Sequence, residues 1–209
     1  MTTDKCKICR RLGDKLFLKG ERCLSPKCAM VRKPYSPGQK KKRRPGQLSE
    51  FGKELKEKQK LKNWYNLGEK QFSNYVKNVL KQQSRTEDAG TRLIQVLESR
   101  LDNVVFRLGF ASSRSQARQF VSHHHFLVND RVVDVSSFLL SKGDKIKIRP
   151  LSLKKNIFKD LPTTIKKHTA PNWLSLNPSK LEGEVKSLPT FEEAAPPVEV
   201  SAIFEFYSR

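Results

Sequence analysis

Acidic residues are scarce in this chain: 21 Asp and Glu stand against 42 Lys and Arg, which leaves a formal net charge of +21. That imbalance exceeds what solubility demands and points to a polyanionic partner. Long apolar runs are missing as well. No stretch of about 18 apolar residues is present to cross a bilayer, and the opening MTTDKCKIC lacks the apolar core of a secretory signal. An amphipathic, Arg-rich, acid-poor presequence of the organellar type is also lacking. The chain is therefore expected in the cytoplasm, or mature in an organelle, in compartments where disulfides rarely persist. Catalytic signatures are absent too, among them phosphate-binding Walker-type loops, His-Glu-x-x-His and Ser nucleophile elbows. Neither an enzyme nor a small-molecule substrate is expected. Cysteine is rare, and all 4 fall within CKICRRLGDKLFLKGERCLSPKC.

The charge that is present is uneven. Residues 1–62 hold 20 Lys and Arg against 6 Asp and Glu, whereas residues 169–209 hold 3 against 6. A membrane-surface protein would carry its cations on an amphipathic helix with an aromatic and aliphatic face. Here the densest run, Lys40, Lys41, Lys42, Arg43 and Arg44, lies between KPYSPGQ and PGQL, where Pro and Gly forbid a regular helix. This pattern implies an extended arm laid along nucleic-acid phosphates and argues against a membrane.

At 209 residues and 36% hydrophobic content, one or two domains with a modest core are expected. Residues 1–48 read as a cysteine segment followed by a basic Pro/Gly linker. Ser49 can cap a helix carrying Phe51, Leu55, Leu61, Trp64 and Tyr65, and Leu67-Gly68 ends it. A second helix presents Phe72, Tyr75, Val76, Val79 and Leu80, and the polar stretch 82–91 connects it to the next. TRLIQVLESRLDNVVFRLGF then reads as one continuous helix stopped by Gly109. Ser113 can cap a short helix with Ala117, Phe120 and Val121 on its buried face. FLVNDRVVDV reads as a hairpin turning at Asn129-Asp130, and KIKIR as a strand with Ile146 and Ile148 on one face. NWLSL, EVKSLP and the terminal AIFEFYSR look strand-like. The expected architecture is α+β: a zinc-binding arm over 1–48, a helical domain over 49–95 completed by 190–209, and an RNA-binding domain over 96–189 with a small antiparallel sheet and its core motif at 99–162.

Cys6, Cys9, Cys23 and Cys28 follow the pattern C-x2-C-x13-C-x4-C. Two close pairs separated by a loop suit one tetrahedral Zn²⁺. A catalytic zinc usually keeps a position open for water, and four thiolates close this one, so the ion is expected to be structural. Such a metal could order a segment whose own core is only Leu12, Leu16, Phe17 and Leu18. The cations between the cysteines, Arg10, Arg11, Lys19 and Arg22, would then be held towards RNA.

CRRLGDKLFLKGERCLSPKCAMVRKPYSPGQ, LKEKQKLKNWY, LESRLDNVVFRLGFASSRSQARQFVSHHHFLVN and the ending EFYSR resemble the bacterial small-subunit ribosomal proteins of the S-four family, over nearly the whole chain. The resemblance implies a primary rRNA binder of the five-prime domain of 16S-type rRNA that nucleates assembly of the small-subunit body. It also implies a place near the channel by which mRNA enters, with members of the S-five and S-three families as neighbours, an influence on decoding accuracy, and repression of its own mRNA in some members. The RNA-binding domain it implies also occurs appended to pseudouridine synthases and tyrosyl-tRNA synthetases. His124 and Asp130 stand where many members have glycine or another small or polar residue.

In the family's domain the face matching Ser113, Arg114, Ser115, Gln116, Arg118, Gln119 and Ser122 docks on RNA and reads folded shape and phosphates. Lys58 and Lys62 on the first long helix join the expected RNA contacts. The run His123-His124-His125 invites a metal reading, but three consecutive residues cannot all face one ion. One histidine is expected to pack and the others to approach RNA, with His123 and His125 assigned to that role. Lys145, Lys147 and Arg149 read as a solvated strand face with incidental phosphate contacts. Arg100-Leu101-Asp102 matches the catalytic-aspartate context of pseudouridine synthases, yet Asp102 falls within an amphipathic helix and no catalytic domain accompanies it. The rival readings are an RNA-modifying enzyme sharing this domain and a zinc-dependent DNA-binding regulator.

Overall fold

The computed structural model describes residues 4–38, 47–82 and 88–208. The chain divides into two compact units, one formed by residues 1–90 together with 196–209 and the other by residues 91–195. The run Lys40–Arg44 lies outside the described residues.

The first unit is helical. Asp4 caps α1 (Lys5–Leu12) by accepting the Cys6 N–H at 3.0 Å, and Gly13, at φ 80°, ends it in the left-handed conformation that spares glycine a Cβ clash. Two single turns follow, α2 (Glu21–Leu24) and α3 (Ala29–Arg32). Leu16 is buried in this arm, but Phe17 is 47% exposed with Lys15 Nζ 5.1 Å from its ring, so the arm's apolar centre is smaller than the sequence suggests. Ser49 caps α4 (Glu50–Trp64) as expected, accepting from the Gly52 N–H, and Gly68 stands at the N-terminus of α5 (Glu69–Lys81). Leu61, Phe72, Val76 and Val79 are buried. Asp14 lies 3.3 Å from Lys60 Nζ and so ties the arm to α4.

The remaining helices of the chain begin with α6 (Ala89–Glu98), α7 (Leu101–Arg107) and α8 (Arg114–Ser122). The continuous helix expected over 91–109 is therefore two helices, broken at Ser99-Arg100. The physical reason is a strap formed by residues 136–140: Leu101 N–H donates to Phe138 O at 2.8 Å, and Leu140 N–H to Ser99 O at 2.9 Å. The break places Asp102 in the first turn of α7 and not within a longer helix.

Ser113 caps α8 by accepting from the Gln116 N–H, and Ala117, Phe120 and Val121 are buried. The helix ends in a Schellman turn: His125 N–H reaches Phe120 O, His124 N–H reaches Val121 O, and His124 takes φ 57°. β1 (Phe126–Val128) then pairs with β2 (Arg131–Val132) across Asn129 and Asp130, whose φ values of 48° and 64° are both left-handed. Paired positive φ values define the hairpin turn whose twist suits two strands, which explains why glycine is the common choice at such positions. The Asn129 amide holds the turn, donating to Asp144 at 2.8 Å and accepting from the Lys145 N–H at 3.0 Å.

β3 (Lys145–Ile148), α9 (Pro150–Leu153), a 3₁₀ turn (Asn156–Phe158), α10 (Leu161–Lys166), β4 (Leu174–Asn177), β5 (Glu182–Val185) and α11 (Phe191–Ala194) complete the unit. The sheet runs β2-β1-β3-β5-β4 with every pairing antiparallel. Ile146 and Ile148 point into a core with Leu108, Phe110, Phe126 and Trp173.

The last element, α12 (Val200–Ser208), belongs to the first unit and is a helix, not the strand that AIFEFYSR suggested. Phe206 packs its ring 5.4 Å from Phe51, and Tyr207 lies 6.3 Å from Phe72. Aromatic residues favour strands on average, but here packing on α4 and α5 decides the conformation.

Candidate RNA-binding surface

The α8 face is built by its buried stripe. Because Ala117, Phe120 and Val121 face inward, Ser115, Gln116, Arg118, Gln119 and Ser122 are left half-buried or exposed on the other side. Gln116 Oε1 accepts from the N–H and the hydroxyl of Ser112, at 2.8 and 2.7 Å, which fixes the loop leading into the helix. His123 and His124 extend the exposed face beyond the last turn.

Two residues expected on this face are turned inward. Arg114 donates from Nε to Asn103 Oδ1 at 2.8 Å and lies 4.7 Å over the Phe106 ring, beside the buried Glu98. Glu98 in turn receives a bidentate pair from Arg107, at 2.9 and 2.7 Å. Arg114 is thus part of an internal polar network joining α6, α7 and α8. His125 is 2% exposed, with Nδ1 2.9 Å from Ser152 Oγ, and it is the histidine that packs. Burial, with Lys155, His123, His124 and Arg149 nearby, holds its imidazole pKa below the usual value. Ser113 is also buried, as befits a cap.

The sheet offers little to a polyanion. Lys147 Nζ lies 3.2 Å from Asp130 and 3.5 Å from Glu182, and Lys145 is paired in register with Glu184. Asp130, by hydrogen bond and by charge, raises the Lys147 pKa.

In the first unit Arg11 and Arg22 are exposed, whereas Arg10 is engaged: its Nε donates to Tyr35 O at 2.8 Å and its guanidinium lies 4.9 Å from the Tyr35 ring centre. Lys19 is half-buried, 3.8 Å from Asp4. Lys58 is buried between Glu69 and the rings of Phe206 and Tyr207, and Lys62 sits 3.0 Å from Glu69. Both lysines join α4 to α5 through Glu69, and Lys58 also meets α12, whose rings lie far along the chain from it.

Cys6, Cys9, Cys23 and Cys28 line one small cavity with Lys5, Lys15 and Lys19. Lys19 N–H donates to Cys23 Sγ at 3.4 Å, and burial pushes the Cys9 thiol pKa up. Among the described residues no three His, Cys, Asp or Glu side chains are drawn into a common ligand set. The donors still have the chemistry of a thiolate site: four sulfurs on one cavity, an N–H aimed at one of them, and ammonium groups on the wall.

Asp102 does not have the freedom of a catalytic base. Arg100 grips it from Nε at 3.0 Å and from its terminal nitrogen at 2.6 Å, and both residues are buried.

A helix whose outer face carries Arg118 with hydroxyl and amide groups, beside an antiparallel sheet, has the make-up of an RNA-binding domain. Residues 1–98 match the family model "Ribosomal protein S4/S9 N-terminal domain", and residues 99–146 match "S4 domain". The small ribosomal subunit protein uS4 of Syntrophus aciditrophicus is 47% identical over 204 residues, covering 98% of this chain and 96% of the relative. That of Syntrophobacter fumaroxidans is 46% identical over 208 residues, covering 100% and 98%. The Thermus thermophilus relative is 45% identical over 98% of this chain and 96% of its own. The chain belongs to the uS4 family of small ribosomal subunit proteins.

Proposed function

We propose that this chain is a primary rRNA-binding protein of the small ribosomal subunit, which binds the five-prime domain of 16S-type rRNA and nucleates assembly of the subunit body. Its role is structural, not enzymatic. The outer α8 face carries the reading: Ser115, Arg118, Gln119, Ser122 and His123 present a charge and several hydroxyl or amide groups to phosphates and ribose. The family further supports a position near the channel by which mRNA enters, neighbours of the S-five and S-three families, an effect on decoding accuracy and repression of its own mRNA. Two basic surfaces on one chain raise each other's effective concentration on a folded RNA.

Cys6, Cys9, Cys23 and Cys28 would hold one structural Zn²⁺, which when bound supplies a closed four-thiolate crosslink between α1 and the turns α2 and α3. The chain's own part is to present exposed Arg11 and Arg22 from that crosslinked arm.

The deciding experiment is binding of Arg118→Glu to a small-subunit rRNA transcript. A loss of about tenfold or more, with a shallower salt dependence, is expected. Unchanged affinity would overturn the assignment of the α8 face.

A further inference from the structure

We propose that residues 149–159 form a second RNA-contacting element, continuous with α8 and directed at rRNA phosphate and ribose; the proposal rests on the rRNA-binding reading above. The segment is short and almost everted. Only Ser152 and Phe158 are buried, at 3% and 2% exposure. Both are anchors: Ser152 meets the His125 ring nitrogen at 2.9 Å, and the Phe158 ring lies 5.2 Å from Phe120 and 5.4 Å from His125. Arg149 N–H donates to His125 O at 2.8 Å and closes the attachment.

Arg149 is half-buried, and the remaining residues face out. Leu151 and Ile157 are 62% and 53% exposed, and they alternate with the exposed Lys154, Lys155 and Lys159. Neighbouring exposed apolar groups on so short a segment mark a contact surface. The occupant follows from charge and continuity. None of Arg149, Lys154, Lys155 or Lys159 has an ion-pair partner among the described residues, in contrast to Lys147 on the sheet. The residues that receive these anchors, Phe120 and His125, lie on or just beyond the helix that presents Arg118, so one polyanion can span both elements. Lysines would take phosphates, while Leu151 and Ile157 would lie against ribose in a shallow groove.

The test uses the full chain and a small-subunit rRNA transcript over a salt series, with folding of each variant checked by circular dichroism. Replacing Arg149, Lys154 and Lys155 together by Ala should weaken binding at least tenfold and lower the slope of log affinity against log salt by about two to three, near 0.9 per lost phosphate contact. Leu151→Ser with Ile157→Ser should weaken binding with the slope unchanged. Wild-type affinity and slope in both variants would overturn the proposal. So would normal rRNA binding combined with loss of a protein from reconstituted subunits, which would assign the segment to a protein partner. Failure of the unaltered protein to bind the transcript would instead overturn the rRNA-binding reading itself.

Discussion

Arg100 and Asp102 form a closed bidentate pair, 3.0 and 2.6 Å, inside the break between α6 and α7. Beside the pair, the N–H groups of Leu101 and Asp102 donate to Phe138 O and Ser136 O of the strap 136–140. Asp102→Ala should destabilise the 91–195 unit by about 3–5 kcal/mol by leaving the Arg100 charge buried without its carboxylate. Arg100→Met with Asp102→Leu should recover most of that loss. Chemical denaturation measures both, and a stable Asp102→Ala variant would contradict the structural role.

Gly183 on β5 faces Leu108, the residue that ends α7, so closely that an added Cβ would overlap Leu108 Cδ1 and lie 2.8 Å from its Cδ2. Gly183→Ala should cost about 1–3 kcal/mol by overpacking. Combining it with Leu108→Ala should give less than the sum of the single losses, because the two changes share one space. Additive losses in a double-mutant cycle would show that the approach is not limiting.

Because the folded pKa of His125 lies below its ordinary value of 6.5, the unfolded chain binds the proton more readily. The stabilisation this group contributes is present above about pH 6.5 and is lost as pH falls below it. Thermal unfolding of the protein should therefore show a midpoint that drops between about pH 7 and 5.5, with a smaller drop in His125→Phe. An equal drop in both would assign the acid sensitivity to other groups.

Tyr207 shows the opposite sign. Burial and the nearby Glu69 carboxylate, 3.3 Å from its hydroxyl, push its pKa up to about 12. Its contribution is present below about pH 10 and is lost as pH rises through about 12. Phenolate absorbance should resolve one late-titrating tyrosine that disappears in Tyr207→Phe. Retention of the late step in that variant would refute the assignment.

Metal removal separates the units. If the four thiols hold Zn²⁺, a chelator should release one ion per chain and raise amide exchange across residues 4–38, leaving that of residues 95–165 unchanged. Unchanged exchange in the arm after treatment, or an absence of released metal, would remove zinc from the account.

Local chemistry made much of this fold readable. Ser49 and Ser113 are hydroxyl caps in front of apolar periodicity, Asn129-Asp130 tolerates left-handed backbone, and Ile146 and Ile148 alternate with lysines; each signal acts within a few residues. The misreadings arose where a distant partner decides. The break at Ser99-Arg100 depends on a strap about 40 residues downstream, and α12 is helical because Phe206 and Tyr207 meet Phe51 and Phe72. The candidate site divides in the same way. Arg114 and Lys58 read as outward cations on their helices, yet Arg114 meets Asn103 and Lys58 meets Glu69. Charge alone does not reveal which cations meet partners within the fold.

Arg107 does more than pair with Glu98. Its Nε and Nη2 hold Glu98, close to where the chain enters the 91–195 unit, and the same Nη2 also donates to Ala194 O at 3.0 Å, close to where the chain leaves. A single side chain thereby fastens both ends of the segment at one point. Entry and exit thus lie together, which is the topology of an insert: the first unit's chain breaks off at residue 90 and resumes at residue 196.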